Sequence, residues 1–308
     1  MPLAEGADLA DALWIDLFRP TESDSAALAA LGIDVPTLED MEEIEVSNRL
    51  YREKGTDYMT VVLTGHSDTN NPISGPVTFI LNTHRIVTVR HHASRPFETY
   101  PTRADKVGPG CTNANRVFLS LVEEIVGRLA DLLESAGRSL DHLSRMVYAP
   151  ERRGSNQKRL EVALRHVGRE GELLGYVRLA LLTMGRALGF YAQTARERTG
   201  DEGLSATVEN LMHDINALEV HTDFLSARVG LASDATLGMI NLAQNSTVRI
   251  VSVVAVLFSP PTLIASLYGM NFTFMPELQQ PWGYPLAIGA MVVSSAVTWA
   301  YFRWRNWL

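Results

Sequence analysis

An apolar stretch near the C-terminus carries a line of mostly small polar side chains along one side. The stretch from Ile250 to Met270 has no charged residue, and the polar side chains recur at alternating steps of three and four residues. Residues at this spacing share one face of a helix. Hydroxyl and amide oxygens can contact the water shell of a cation. Because these oxygens carry no charge, they do not hold the cation too tightly for it to move on. This polar face consists of Asn245, Val248, Ser252, Ala255, Ser259, Thr262 and Ser266.

The same face has a purely structural interpretation. Small and hydroxyl-bearing residues let membrane helices approach closely and hydrogen-bond, so the face could be a packing surface. The pair Pro260-Pro261 lies within the stretch and removes backbone donors, which frees the carbonyls of Val256 and Leu257. Irregular backbone at membrane depth is tolerated where it is buried in protein or lines a water-filled cavity. The residues alone leave packing and a hydrated path both open.

Two segments are long enough to cross a membrane. Ile250–Met270 and Tyr284–Phe302 supply about 21 and about 19 uncharged residues, enough to cross about 30 Å of hydrocarbon as helices. The loop between them has no Lys or Arg, whereas Arg249, Arg303 and Arg305 flank the pair. By the positive-inside rule, both termini are expected in the cytoplasm. Aromatic residues typical of membrane interfaces flank the second span: Trp282, Tyr284, Tyr301, Trp304 and Trp307.

Composition excludes several function classes. The chain has 308 residues, with 27 basic and 35 acidic side chains and a formal net charge of -8, which argues against a nucleic-acid partner. Its single cysteine, Cys111, rules out an intramolecular disulfide and a cysteine-based zinc site. We find no nucleophile–base pair or metal-ligand motif in the sequence, so an enzyme is not expected.

The part before the spans combines strands with long helices. Leu13–Phe18, Tyr58–Thr64, Val77–Leu81 and Ile86–Val89 are short, branched or aromatic segments that predict a mixed sheet. From about Asn113 the apolar pattern is helical. We therefore predict a mixed α/β domain at 1–112, long helices at 113–200, a stalk helix at 201–249, a first span at 250–271, an external loop at 272–283, a second span at 284–302 and a cytoplasmic basic tail at 303–308.

One helical pattern runs from the cytoplasmic part into the first span. Apolar or small residues recur every 3.5 residues from Leu204 to Leu257 without a charge or a proline. Such a repeat indicates a helix that packs along its length against others, and a helix from Leu204 to Met270 would be about 100 Å long. We also interpret the repeat as a reason to expect a bundle of identical subunits, because two spans cannot enclose a pore.

The C-terminal quarter resembles a known family. The motifs are YGMNF at 268–272, MPEL at 275–278, WGYP at 282–285 and NWL at 306–308. They are similar to those of the CorA family of divalent-cation (magnesium and cobalt) transporters of the bacterial type. The remainder of the chain matches that family mainly in its organisation.

The resemblance implies a fold and a function. It implies an α+β membrane protein with a cytoplasmic α/β domain, a long helical stalk, two C-terminal transmembrane helices and a homopentameric funnel in the cell inner membrane. Gly269, Met270 and Asn271 match the family's ion-selecting signature, and Asn245, Val248, Ser259 and Thr262 fall on its pore positions. The implied activity is passive uptake of Mg²⁺, with Co²⁺ or Ni²⁺ as further substrates and no cofactor, driven by the membrane potential and gated by intracellular divalent cations.

Physical chemistry gives the signature a reason. Magnesium loses its water reluctantly, so a ring of neutral Asn271 oxygens could hold it through its water shell. The negative end of the first span's dipole favours a cation at the same place. Gly269 is expected to permit a backbone turn that a residue with a Cβ atom would resist.

Some positions depart from the family pattern. Thr273 stands where many members carry an acid, and Glu277 is the only charge in the external loop. The family senses internal magnesium through carboxylates, and near the place in the stalk where one is expected this chain has Asn210. The nearby acids Glu209 and Asp214 are therefore the candidate regulatory metal ligands. Two alternatives remain: a zinc transporter of a related branch, which usually has Ile where this chain has Met270, and a membrane-anchored scaffold.

Overall fold

The computed structural model describes residues 9–43, 45–67, 71–104, 106, 108–149, 156–198, 202–270, 275–276, 280–305 and 307. The chain forms two compact units, each described here by itself. The first comprises Met1–Tyr148 and Ala163–Ser233, and the second comprises Ala149–Val162 and Asp234–Leu308.

A mixed five-stranded sheet organises the first unit. Its spatial order is β1-β5-β4-β3-β2, with β1 and β5 parallel and the other neighbours antiparallel. All four strands predicted from the sequence are confirmed. The strands are β1 (Trp14–Phe18), β2 (Leu50–Glu53), β3 (Thr56–His66), β4 (Pro72–Leu81) and β5 (Ile86–Arg90).

The strand that the sequence did not predict is β2. It lies at the sheet edge and has two exposed charged residues, Arg52 and Glu53, so it lacks the apolar alternation of a half-buried strand. A two-residue turn joins it to β3, with Lys54 at φ 50° and Gly55 at φ 81°. Positive φ at both turn positions suits the right-handed twist of a hairpin.

The short elements around the sheet are α1 (Glu22–Ala29), α2 (Leu38–Glu42), α3 (Val46–Arg49) and α4 (Arg95–Thr99), with 3-10 turns at Leu9–Asp11 and Tyr100–Thr102. Helix α4 lies on the face of Phe79, whose ring is 6.2 Å from that of Phe97, whereas α1 and α2 cover the opposite face. Capping boxes begin α1 and α2, in which Thr21 and Thr37 each accept from the backbone N–H three residues later. The core on this face contains Ile15, Leu28, Ile33, Met41, Tyr58, Ile80, Val87 and Val89.

Two long helices, α5 (Ala114–Tyr148) and α6 (Asn156–Arg198), contribute the core on the other face. Phe79 neighbours Ile80 on β4 and therefore points the opposite way. The Phe79 ring lies 5.4 Å from the ring of Phe118 on α5, which in turn lies 4.9 Å from Tyr191 on α6. With both faces covered, the central strands read as nearly continuous apolar runs.

Helix α6 also satisfies an open edge of the sheet. β2 pairs with β3 only as far as Met59, so no strand of the described part of the chain lies beside the later residues of β3 on that side. There the Val62 N–H donates to Thr183 Oγ1 on α6 at 3.0 Å. Further along α6, the buried Thr194 hydroxyl donates to Asp57 Oδ2 at 2.7 Å. These bonds fix α6 against β3.

The predicted continuous helix is confirmed as α7 (Glu202–Tyr268), and α8 (Gly283–Trp304) follows it. The 3.5-residue repeat is buried within the single chain over its first part, at Leu204, Val208, Leu211, Ile215 and Leu225. A Cβ atom on Gly185 of α6 would lie 3.5 Å from Ile215, and one on Gly137 of α5 would lie 3.8 Å from Leu225. This part of the repeat therefore packs against α5 and α6 and carries no information about a bundle of subunits.

Candidate functional site

The polar face predicted from the sequence is exposed on α7, as is most of the helix surface between residues 244 and 267. All seven of its members, from Asn245 to Ser266, are exposed in the single chain. Val253, on the opposite side of the helix, is buried to 4% exposure. The geometry therefore brings the seven residues onto one surface that the described part of the chain leaves uncovered.

Two of the four hydroxyl groups on this face are oriented by the helix itself. Ser252 Oγ donates to the Val248 carbonyl at 2.8 Å, and Thr262 Oγ1 donates to the Phe258 carbonyl at 2.7 Å. A hydroxyl has one proton and two lone pairs. Because the proton is used within the helix, each oxygen presents its lone pairs outward as an acceptor. An acceptor surface favours cations and the water molecules that surround them.

The proline pair does not end the helix. Pro260 and Pro261 lie inside α7, which continues to Tyr268. Since proline has no N–H, the carbonyls of Val256 and Leu257 lack the usual donor four residues later. Two backbone acceptors thus lie at the middle of the predicted first span.

The backbone at Gly269 differs from the turn that the sequence led us to expect. Gly269 N–H donates to the Ala265 carbonyl at 3.0 Å, so the helical hydrogen bonding continues through it. Its φ is outside the left-handed region, contrary to the expected special turn. A Cβ atom at this position would instead lie 3.2 Å from the Ala265 oxygen, closer than ordinary contact. A side chain at this position would therefore require the Ala265 carbonyl to shift by a few tenths of an ångström, and Met270 follows with 44% exposure.

Three predicted positions fall outside the described residues: Asn271, Thr273 and Glu277. Two roles therefore stay predictions: that of Glu277 as the loop charge, and that of Asn271 as the neutral oxygen donor of the rim, the external end of the expected path at 269–271.

Within the described residues, three helices are long and apolar enough to cross a membrane, one more than the sequence predicted. They are the segments Lys158–Ala195, Leu204–Tyr268 and Gly283–Trp304. The most apolar window of the first is 44% buried, against 6% and 11% for the other two. The first segment belongs to α6, whose apolar residues lie in the core of the sheet-containing unit. The exposed apolar surfaces of α7 and α8 match the two predicted spans.

Aromatic residues stand exposed at both ends of α8. Trp282 and Tyr284 precede its apolar part, and Tyr301 and Trp304 follow it, each at least half exposed. The Arg305 guanidinium lies 6.0 Å from the ring of Trp304. This arrangement is typical of residues that lie at a membrane–water interface.

The candidate regulatory carboxylates are not brought together. Glu209 and Asp214 are both exposed on α7, and a separation of five residues places them on different sides of a helix. Sequence reasoning did not identify Glu123 of α5, which lies close enough to Asp214 for the charge of Asp214 to affect its pKa. Burial, followed by the charges of Asp214 and Glu124, raises the pKa of Glu123. No group of three or more His, Cys, Asp or Glu suited to a metal occurs among the described residues.

Comparisons of sequence and of fold with known proteins both find CorA magnesium transporters. The family model described as "CorA-like Mg2+ transporter protein" matches residues 10–304. The magnesium transport protein CorA of Haemophilus influenzae is 32% identical over 98% of this chain and 94% of its own. That of Yersinia pseudotuberculosis is 32% identical over 100% and 96%. The complete structure of the CorA magnesium transporter from Methanocaldococcus jannaschii is similar in fold, with a TM-score of 0.71, 18% identity and coverage of 96% and 91%.

Proposed function

Because this chain belongs to the CorA-like Mg²⁺ transporter family, we propose that it conducts Mg²⁺ across a membrane along the polar face of α7. The observation that carries the proposal is the exposure of that whole face, with hydroxyl lone pairs directed outward at Ser252 and Thr262. A face that only packed against the chain's own helices would be covered by them.

The path requires several copies of the chain. One chain presents one polar face, and a closed ring of identical subunits would place one such face from each around a common axis. The resemblance of the sequence to its family supports five copies. The charge pattern, with Arg249, Arg303 and Arg305 on one side, supports an orientation with both termini in the cytoplasm and the loop outside the cell inner membrane.

The membrane potential supplies the driving force in this proposal. Moving one elementary charge through 100 mV corresponds to about 2.3 kcal/mol, so a divalent cation gains about 4.6 kcal/mol on entering an inside-negative cell. Uptake then needs no ATP.

The external rim selects Mg²⁺ by binding the ion together with its water shell. Gly269, Met270 and Asn271 would form rings of neutral oxygens around a hydrated Mg²⁺.

Co²⁺ and Ni²⁺ are further substrates in this proposal. Intracellular divalent cations close the path, with Glu209 and Asp214 as the candidate ligands. Met270 in place of the Ile of the zinc branch favours magnesium over zinc.

Flux measurement in a defined system tests this function. Purified protein in liposomes loaded with a magnesium dye should fill when a potential is imposed with the interior negative, without ATP, and should not fill when the potential is reversed. Competition by Co²⁺, Ni²⁺ and Zn²⁺ in the same vesicles ranks the ions. Faster flux of Zn²⁺ than of Mg²⁺ would favour the zinc transporter.

Substitution of the polar face separates a conductor from a membrane-anchored scaffold. A scaffold tolerates Leu at Ser252, Ser259 and Thr262 with no effect on cation flux. A conductor loses flux in each of these variants because the acceptor oxygen is replaced by a bulky apolar side chain.

A further inference from the structure

A cavity in the sheet-containing unit is lined by charges of both signs. Its volume is about 440 Å³, and it lies between α4, the turn after it and α5. Three guanidinium groups and three carboxylates surround it, together with one hydroxyl. These side chains are Arg95, Arg103, Arg128, Glu123, Glu124, Asp131 and Thr99.

Only some of these charges are compensated within the chain. Glu124 Oε1 accepts from the Thr99 hydroxyl at 2.7 Å, and Glu124 Oε2 lies 3.4 Å from Arg103 Nη1. Among the described residues, the side chains of Arg95 and Arg128 have no hydrogen bond or ion pair. The carboxylates of Glu123 and Asp131 likewise have no cationic partner in the described part of the chain. Two cationic and two anionic groups therefore face one cavity without pairing.

A second, mainly apolar cavity shares the two unpaired arginines. Its volume is about 150 Å³, and Arg95 and Arg128 line it as well as the first. The Tyr176 hydroxyl on its wall donates to Glu172 at 2.7 Å, which leaves the ring as an apolar surface. The apolar part of the lining comprises Pro72, Ile73, Leu132, Leu173 and Tyr176.

This pair of cavities has the chemistry for a ligand with three parts. Arginine forks bind phosphate oxygens. Magnesium is usually held by one or two carboxylates together with substrate phosphates. An apolar cleft beside such a site suits a flat organic ring. We propose that the two cavities bind a magnesium-chelated nucleoside phosphate, with Arg95 and Arg128 on the phosphates, Glu123 and Asp131 towards the metal, and the base in the apolar cavity.

The proposal goes beyond ion conduction and does not require it. All the residues involved belong to the sheet-containing unit, whereas the polar face of α7 belongs to the other unit. Binding here would make the protein responsive to magnesium in its nucleotide-bound form. The Asn271→Ala variant should bind the nucleotide like the wild type, so failure of binding and failure of conduction can be distinguished.

Calorimetric titration of the full chain in detergent with MgATP tests the site. We expect binding to the wild type, and a rise of Kd by at least about tenfold in Arg128→Gln and in Arg95→Gln, as loss of a charge-assisted bond of about 1.4 kcal/mol implies. Arg138→Gln is the matched control, since Arg138 lies on α5, outside the cavity, in an exposed pair with Glu134. It should bind as the wild type does.

Three further ligands separate the parts of the site. ATP with a chelator should bind more weakly than MgATP, and Asp131→Asn should reduce that difference. Adenosine alone should bind weakly. Absence of MgATP binding, or an unchanged Kd in both arginine variants, would overturn the site. Magnesium with inorganic phosphate binding as tightly as MgATP would overturn the nucleoside assignment. Thermal melting of each variant, matched to the wild type, shows that a loss of binding is not a loss of fold.

Discussion

Thr262 Oγ1 lies 2.7 Å from the carbonyl oxygen of Phe258, one turn earlier on α7. The hydroxyl proton is used in this contact, and the lone pairs of the oxygen remain available on the exposed side of the helix. The same geometry occurs on α8, where Thr298 Oγ1 lies 2.9 Å from the Ser294 carbonyl. The two threonines differ in that only Thr262 belongs to the polar face.

The substitution Thr262→Val tests whether that outward oxygen serves conduction. Valine keeps the shape and removes the acceptor, so Mg²⁺ influx into polarised liposomes should fall by at least about tenfold, the factor for one lost hydrogen bond of about 1.4 kcal/mol. Thr298→Val makes the same chemical change on α8 and should leave influx within about twofold of the wild type. Equal effects of the two substitutions would contradict a special role for the polar face.

The substitution Gly269→Ala tests the close approach at the helix end. The added Cβ atom would lie 3.2 Å from the Ala265 oxygen. Because this atom would force the Ala265 carbonyl to shift, we expect the helix end to change its geometry and Mg²⁺ influx to fall while the protein still folds. Gly289→Ala on α8, where nothing lies within 4 Å, is the control. Unchanged influx in Gly269→Ala would show that the rim does not depend on this contact.

The substitution Gly65→Ala should destabilise the sheet-containing unit. A Cβ atom on Gly65 would lie 2.3 Å from His92 Cδ2 and 2.4 Å from the Ala93 carbonyl oxygen. We expect the Tm to fall by about 2 °C or more, because overpacking against backbone costs at least about 1 kcal/mol. Gly175→Ala on α6 has open space around it and should leave the Tm unchanged or raise it. Similar Tm values for the two variants would contradict the packing of His92.

The buried imidazole of His92 predicts a pH dependence of stability. Burial lowers its pKa to about 4 from 6.5, and a loose contact with the Leu63 backbone opposes the shift without satisfying either ring nitrogen. Between these two pH values the unfolded chain binds a proton that the folded chain does not. Stability therefore falls as the pH is lowered through this window, by up to about 3 kcal/mol from this group.

Thermal melting between pH 6.5 and pH 4.5 measures this contribution. The Tm of the wild type should fall more steeply than that of His92→Leu, which cannot titrate at this position. Parallel curves would show that His92 is protonated to the same extent in both states.

The sequence predicted those parts of the fold that follow from local pattern. Branched residues at Tyr58–Thr64 and Ile86–Val89 predicted two central strands, and the repeat from Leu204 predicted α7. The repeat could not show what it packs against, because burial against α5 and against another copy need the same apolar spacing. The edge strand β2 was missed because its pairing depends on the turn at Lys54 and Gly55 rather than on apolar alternation.

The candidate site was predictable where it lies on one helix. The spacing from Asn245 to Ser266 places its members on one face whatever the rest of the chain does. Features that combine distant segments were not predictable from spacing. Arg95 and Arg128 line the same cavities only because α4 packs beside α5, and Glu123 comes within the electrostatic range of Asp214 only through the packing of α5 and α7.

Magnesium uptake by the Asn271→Ala variant tests the central claim most directly. Wild-type protein and this variant would be placed at equal density in liposomes that contain a magnesium dye, and an inside-negative potential would be imposed. We predict a rapid rise of the dye signal with the wild type and no rise above empty liposomes with Asn271→Ala. Equal initial rates of uptake by the two proteins would contradict conduction through the rim that Gly269, Met270 and Asn271 are proposed to form.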